Sequence, residues 1–146
     1  MSQRTLIKGG TVITADPVIG TLTDADVLIE DETILAVDRN LEGVDAETVD
    51  ATGTIVLPGF VDTHRHTWQA PWRGLASDWT LAHYFAGLHF RVNGITRPQD
   101  LHAANRLGAL EALDSGITTL LDWSHNLNTP EHADAAVDAL EESGMR

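Results

Sequence analysis

"LPGFVDTHRHTWQ", residues Leu57 to Gln69, runs from an apolar segment into two histidines one residue apart. Pro58-Gly59 breaks the preceding run, and "FVDTHRH" after it has the make-up of a short strand. In a strand, residues i and i+2 share a face, so His64 and His66 are expected to project together, with Asp62 just behind them. Two imidazoles so placed can share one ion. Neutral imidazole suits zinc and iron, and a partly filled shell leaves room for a reactive water. The same spacing fits two ordinary histidines on a strand, and the residues alone leave both readings open.

Upstream of Pro58 the chain reads as β structure. "TLIKGGTVIT" is rich in β-branched residues, "ADVLIEDETILAVD" reads as two strands around a tight acidic turn, and "GTIVLPG" is a third apolar run. The expected product is a small antiparallel sheet over residues 1–58. Downstream the pattern becomes strand, helical region, strand "GITTLLDW", helix. Thr96 and Gln99 stand at capping-box spacing, Pro98 fits a first helical turn, and Leu101, Ala104, Leu107, Leu110 and Leu113 offer an apolar face that Gly116 ends. Thr129, Pro130 and Gly144 mark a last helix. Alternating strands and helices imply parallel strands with right-handed crossovers, so residues 59–146 are expected to be an α/β unit. One crossover cannot cover both faces of a parallel sheet, so the chain is expected to be the N-terminal part of something longer.

The composition narrows the partners. Acidic residues outnumber basic ones 22 to 9, for a net charge of -13, and such a surface repels phosphate backbones and anionic lipid. A small-molecule substrate is expected, with no nucleic acid and no membrane. With no cysteine, a transition-metal site must be built from His, Asp and Glu. "MSQRTLIKGG" lacks the apolar core of a signal peptide, and the expected location is cytoplasmic.

The opening "LIKGGTVIT", the run "DATGTIVLPGFVDTHRH" and the later "ALDSGITTLLDW" together resemble the amidohydrolase superfamily, in particular its cytosine deaminase and triazine hydrolase-like branch. The resemblance implies the N-terminal part of a (β/α)8 TIM-like barrel, preceded by a segment of a small β-sandwich. It implies that His64 and His66 bind one catalytic divalent metal, zinc first and iron second. Other ligands and the acid-base residue would come from strands beyond Arg146. The chain alone would therefore be inactive, and the full-length protein is expected to be a homo-oligomer. It further implies attack of metal-activated water on an electron-poor ring carbon, with loss of ammonia or an amine. Dechlorination or cyclic-amide opening would start the same way. A reading from another class is a non-catalytic β/α module that assembles with a partner chain.

Around the histidines, Gln69 is a candidate to hold the amide edge of a heterocycle, because a carboxamide offers both donor and acceptor. The alternative is a glutamine bonded to loop backbone. Trp68 and Trp72 are candidates to wall a ring-sized pocket, or else core packing. His125, just after the second strand, is a pocket candidate. Arg73 is expected to pair with a carboxylate, Asp122 to orient its neighbours, and His83, His89, His102 and His132 to serve surface or packing roles.

Overall fold

The computed structural model describes residues 3–146. They form two compact units that divide between Pro58 and Gly59. In the first, β1 (Arg4–Ile13) pairs antiparallel with β2 (Thr21–Glu30), and β2 antiparallel with β3 (Thr33–Asp38). The acidic turn between β2 and β3 is present, with Asp31 at φ 51, a left-handed conformation that aspartate tolerates. The sheet is mixed, however, rather than antiparallel: β4 (Glu47–Asp50) and the two-residue β5 (Ile55–Val56) both pair with β1 in parallel. β4 had no signature in the sequence, because all four of its residues are exposed and no alternation marks them.

Val12, Ala25 and Val27 form the core of this sheet, flanked by Ile7, Leu22, Ile29, Val37 and Val56. The register of β1 breaks around Gly9, whose φ of 76 suits only glycine without strain. The break turns the Gly9 N–H toward Asp26, which is 2% exposed. The second carboxylate oxygen of Asp26 accepts the Leu41 N–H, so this buried acid ties a strand and a loop together.

The second unit is an α/β arrangement with an open sheet. β6 (Phe60–Arg65) leads through a 3₁₀ helix (Thr67–Trp72), a short α1 (Leu81–Tyr84), a π-helix (Phe85–Val92) and α2 (Asn93–Ile95) into the long α3 (Pro98–Asp114). Then β7 (Ile117–Asp122) pairs parallel with β6, and α4 (Pro130–Glu142) packs on α3. The two-stranded sheet does not close. Its core gathers Trp68, Leu88, Leu101 and Ala136, with Trp79, Tyr84 and Val92 against them.

The caps depart by one residue from the sequence reading. α3 is capped by Arg97, not Thr96, because the residue before a proline is held extended. Asp100, not Gln99, closes the turn: its carboxylate accepts the Arg97 backbone N–H at 3.0 Å and the guanidinium at 2.7 and 2.8 Å. Thr96 instead donates its hydroxyl to the Val92 carbonyl. The buried stripe of α3 also differs, running through Leu101, Ala104, Asn105, Gly108, Ala109 and Ala112, while Leu107 and Leu110 are 43% and 48% exposed. Small residues let α3 approach the 3₁₀ helix and α4 closely, and that approach, rather than the leucine count, selects the inward face. α4 begins as expected, with Thr129 at its N-cap and Pro130 in its first turn. Among the described residues no helix is long and apolar enough to cross a membrane.

The Arg97–Asp100 cap makes a pH-dependent prediction. Hydrogen bonds from the Arg97 side chain, then from its backbone, hold the Asp100 carboxyl down to about 2. A carboxyl lowered in the folded state stabilises above its unfolded pKa, and that contribution fades as pH falls through the folded value. Asp100→Asn is therefore expected to lower the melting temperature modestly at about pH 6, with the gap to wild type closing between about pH 4 and pH 2. Thermal denaturation followed by circular dichroism reads it, and a gap that does not narrow in acid would discount the carboxylate.

Candidate functional site

β6 ends at Arg65, so His66 lies one step past the strand, at φ -113 and ψ 82. The pairing of β6 with β7 is irregular between Asp62 and Arg65. The two imidazoles nonetheless meet, with ring centroids 5.3 Å apart and planes at 83°. Asp62 does not join them. One of its oxygens accepts the His64 backbone N–H at 3.0 Å and the other lies 3.8 Å from the Arg65 guanidinium.

Trp123, the residue after β7, organises both histidines. Its indole stacks on His64 at 4.9 Å and 18°, and the indole N–H donates to the Thr63 carbonyl. Its own carbonyl lies 2.7 Å from His66 Nδ1. A carbonyl can only accept, so Nδ1 of His66 carries a proton, and in the neutral tautomer the lone pair is on Nε2. Orientation of one ring nitrogen by a carbonyl is what a ligating histidine requires. Two imidazoles on one tetrahedral ion, with nitrogens about 2.0–2.1 Å from it, place their ring centres roughly 5 Å apart. His64 and His66 match that separation. Among the described residues no group of three or more His, Cys, Asp or Glu side chains is arranged to hold a metal ion.

His125 packs 4.1 Å from the His66 ring, and its Nδ1 lies 3.5 Å from the Trp68 indole nitrogen, which donates toward it. Burial pushes the His125 imidazole below its ordinary range, and His66 and His89 push the same way against the pull of Asp122. His89, assigned to packing from sequence, belongs to this cluster. Its ring is 4.6 Å from His125 and 4.9 Å from Tyr84, and burial followed by the nearby His66 lowers its pKa too. Both shifts favour the neutral ring, in which an imidazole offers one acceptor nitrogen.

The backbone explains how His89 arrives there. In an α-helix of about 3.6 residues per turn, a residue five positions on lies about 140° around the axis. The i→i+5 winding of a π-helix brings it nearly back over the first. Tyr84 and His89 are separated by five and bonded across one such turn, with Tyr84 Oη 3.0 Å from His89 Nε2. Gln69 reaches the same hydroxyl, donating from Nε2 over 2.6 Å, so its amide nitrogen bonds a side chain rather than loop backbone.

The other candidates each have a definite place. Trp68 is 1% exposed and is core, while Trp72 is 39% exposed. Both line an apolar cavity of about 490 Å³ with Pro71, Val92, Ile95 and Leu107 among its walls. Arg73 pairs with Glu111 at 2.6 Å. Asp122 accepts the backbone N–H and the hydroxyl of Thr67, which pins the residue between His66 and Trp68. His83 is exposed on α1, His102 lies 3.3 Å from Glu142, and His132, 7% exposed, bridges Thr129 and the Thr96 carbonyl. Sequence reasoning missed Trp123, Tyr84 and His89. For Trp123, its place directly after a β-strand that neighbours the histidine strand was a usable signal.

Comparison with known proteins shows what this geometry is similar to. Residues 55–146 match the amidohydrolase family. The chain is 35% identical over 141 residues to a 5-methylthioadenosine/S-adenosylhomocysteine deaminase of Thermococcus kodakarensis, covering 97% of this chain and 31% of that protein. It is 30% identical over 141 residues to a 5'-deoxyadenosine deaminase of Methanosarcina acetivorans, again over 97% of this chain and 31% of that protein. Among solved structures it is similar to an atrazine chlorohydrolase of Arthrobacter aurescens TC1 complexed with zinc, at a TM-score of 0.84 and 30% identity, over 97% of this chain and 34% of that one. The chain thus spans about a third of the length of these relatives.

Proposed function

The chain belongs to the amidohydrolase family, and from that premise we propose that the protein is a metal-dependent hydrolase of non-peptide C–N bonds. Within the family we place it in the cytosine deaminase and triazine hydrolase-like branch. The proposed reaction is hydrolytic deamination of a nitrogen heterocycle of purine, pyrimidine or triazine type. The observation that carries this reading is the His64–His66 pair at 5.3 Å, with one ring oriented by a backbone carbonyl, at the C-terminal end of a strand in a β/α unit. In this proposal the unit is the start of a (β/α)8 barrel, residues 1–58 contribute to a β-sandwich, and the full-length protein is a cytoplasmic homo-oligomer acting on a small molecule.

His64 and His66 would hold a divalent cation, zinc before iron, together with donors outside this chain. When bound, the cation supplies Lewis acidity and lowers the pKa of a water at the site. The residues of this chain bind and orient. The Trp123 carbonyl keeps the proton of His66 on Nδ1. Trp68 directs its N–H at His125, whose neutral ring can face the substrate beside His66. Gln69 would meet the amide edge of the heterocycle. No acid-base role is assigned within the chain. Dechlorination of a triazine is a second reading, favoured by the similarity to the chlorohydrolase.

The test is a screen of aminated purines, pyrimidines and triazines, with chlorinated triazines beside them, using the full-length, metal-loaded protein and tracking both ammonia and chloride release. Activity is expected on at least one ring. Gln69→Leu should weaken kcat/KM for that ring about tenfold, or roughly 1–3 kcal/mol, because a polar group of the bound ring is left unpaired. Metal content should not change. Turnover unaffected by the substitution would remove Gln69 from the site, and chloride release without ammonia release would replace deamination by dechlorination.

A further inference from the structure

Residues 123–128 carry His125 without strand or helix, and only Asn126 among them is buried. Burial does not bond Asn126 in place, since among the described residues neither atom of its carboxamide has a hydrogen-bond partner. The segment is held at its two ends instead. At the start, the Trp123 N–H donates to the Arg65 carbonyl over 2.7 Å and the indole N–H to the Thr63 carbonyl over 3.0 Å. Further along, the hold comes from α2, where Asn93 Nδ2 donates to the His125 carbonyl over 3.1 Å. Asn128 Nδ2 then donates to Asn93 Oδ1 over 2.9 Å and to the Asn93 carbonyl over 3.1 Å.

The chemistry of the partners fixes the direction of each of these bonds. A backbone carbonyl can only accept, so an NH₂ group must face both the His125 and the Asn93 carbonyl. With Nδ2 of Asn93 engaged by His125, Oδ1 is the atom turned to Asn128, which has two N–H bonds for the two oxygens it meets. No hydroxyl or imidazole takes part, so no proton has a second place to go.

Asn93 directly follows the π-helix that carries His89, and the Asn93–Asn128 clasp therefore joins the two segments whose histidine rings meet at 4.6 Å. His125 in turn packs 4.1 Å from His66. The π-helix has core anchors of its own in Leu88 and Val92. The segment after β7 has none of that kind, because Trp123 and Leu127 are both 49% exposed. The Trp68 indole reaches the His125 ring only at 3.5 Å, a long bond, so the main-chain hold is the firmer one.

Resting on the reading of His125 as a residue that faces the substrate beside His66, we propose that Asn93 and Asn128 are positioning residues. They clasp the His125 main chain to the end of the π-helix and so keep the His89 and His125 rings together as one wall beside His66. The wall meets the substrate, and the clasp acts only through the wall.

Two measurements on the full-length, zinc-loaded protein test this. The first records nuclear Overhauser contacts between histidine rings in protein deuterated everywhere else. Wild type is expected to show the His89–His125 contact. Asn93→Ala and Asn128→Ala should each weaken it severalfold, whereas Gly94→Ala, in the same helix with open space at its Cβ position, should leave it unchanged. A contact absent from wild type, kept in both clasp variants, or lost equally in Gly94→Ala overturns the proposal. Should Asn93→Ala fail to fold, Asn128→Ala, at an exposed position, decides the matter alone. The second measurement is steady-state deamination of adenine, cytosine and melamine. For whichever ring is turned over, KM is expected to rise about threefold to tenfold in both clasp variants, with kcat within about twofold and zinc content unchanged, as loss of uniform binding does. An unchanged KM overturns the positioning role, and a fall in kcat at constant KM overturns the placement of His125 against the substrate. Ammonia release from none of the three rings would count against the deaminase reading, and the Overhauser contacts would then decide the clasp by themselves.

Discussion

His64→Ala and His66→Ala, each made in the full-length protein, are expected to abolish metal binding and to lower hydrolysis roughly a thousandfold or more. Removing one imidazole from a site of a few ligands breaks its geometry. The remaining ring cannot compensate, because Trp123 holds each histidine in its own way: a stacked indole fixes His64, and a carbonyl fixes the tautomer of His66. Loss should be comparable at both positions. Metal analysis by mass spectrometry decides the point independently of any substrate, and wild-type metal content in both variants would end the ligand assignment. Unchanged metal with lost turnover would move the histidines from ligation to substrate contact.

The second large effect is expected far along the chain, at Gly108. A Cβ built there would lie 2.5 Å from the Thr67 carbonyl oxygen and 2.9 Å from its Cα. These are backbone atoms, and Thr67 is further pinned by Asp122, so neither partner can yield cheaply. Gly108→Ala should cost about 2–3 kcal/mol of stability, as overpacking of a tight contact does. It should also weaken metal binding, because Thr67 sits directly between His66 and Trp68. Gly94→Ala is the control: nothing lies within 4 Å of its Cβ position, and a change below about 1 kcal/mol is expected. Denaturant unfolding of the two full-length variants makes the comparison. Equal stabilities would show that α3 does not press on the 3₁₀ helix.

The histidine strand illustrates how far pattern alone reaches. Alternation predicted that His64 and His66 would come together, and they do, yet the strand ends at Arg65 and Asp62 holds the His64 backbone N–H and the Arg65 guanidinium rather than joining the imidazoles. Strand periodicity describes ideal backbone, whereas irregular pairing at the end of β6 lets each side chain find its own partner. The α3 cap shows the same limit on a smaller scale. Thr96 and Gln99 had suitable chemistry, but proline fixes the residue before it as the extended one and moves the cap to Arg97.

Local chemistry and fixed periods were enough to set four features: the change from β structure to β/α alternation at Pro58-Gly59, the turn at Asp31, the proline-led starts of α3 and α4, and the convergence of two imidazoles. Each depends on residues a few positions apart, whose sterics and hydrogen bonds act before the chain is packed. Packing alone selected the parallel pairing of β4 and β5 with β1, the inward face of α3, the clamp of Trp123 on both histidines, and the entry of His89 into the site through a π-helical turn. Those depend on partners 57 to 60 positions away in the case of Trp123, and on a winding that differs from the α-helix by one residue in its hydrogen bonding in the case of His89. The place of Trp123 after a strand could be read locally, but its bonds to both histidines and the π-helical winding could not, because the energy that selects them comes from contacts that exist only once the elements have met.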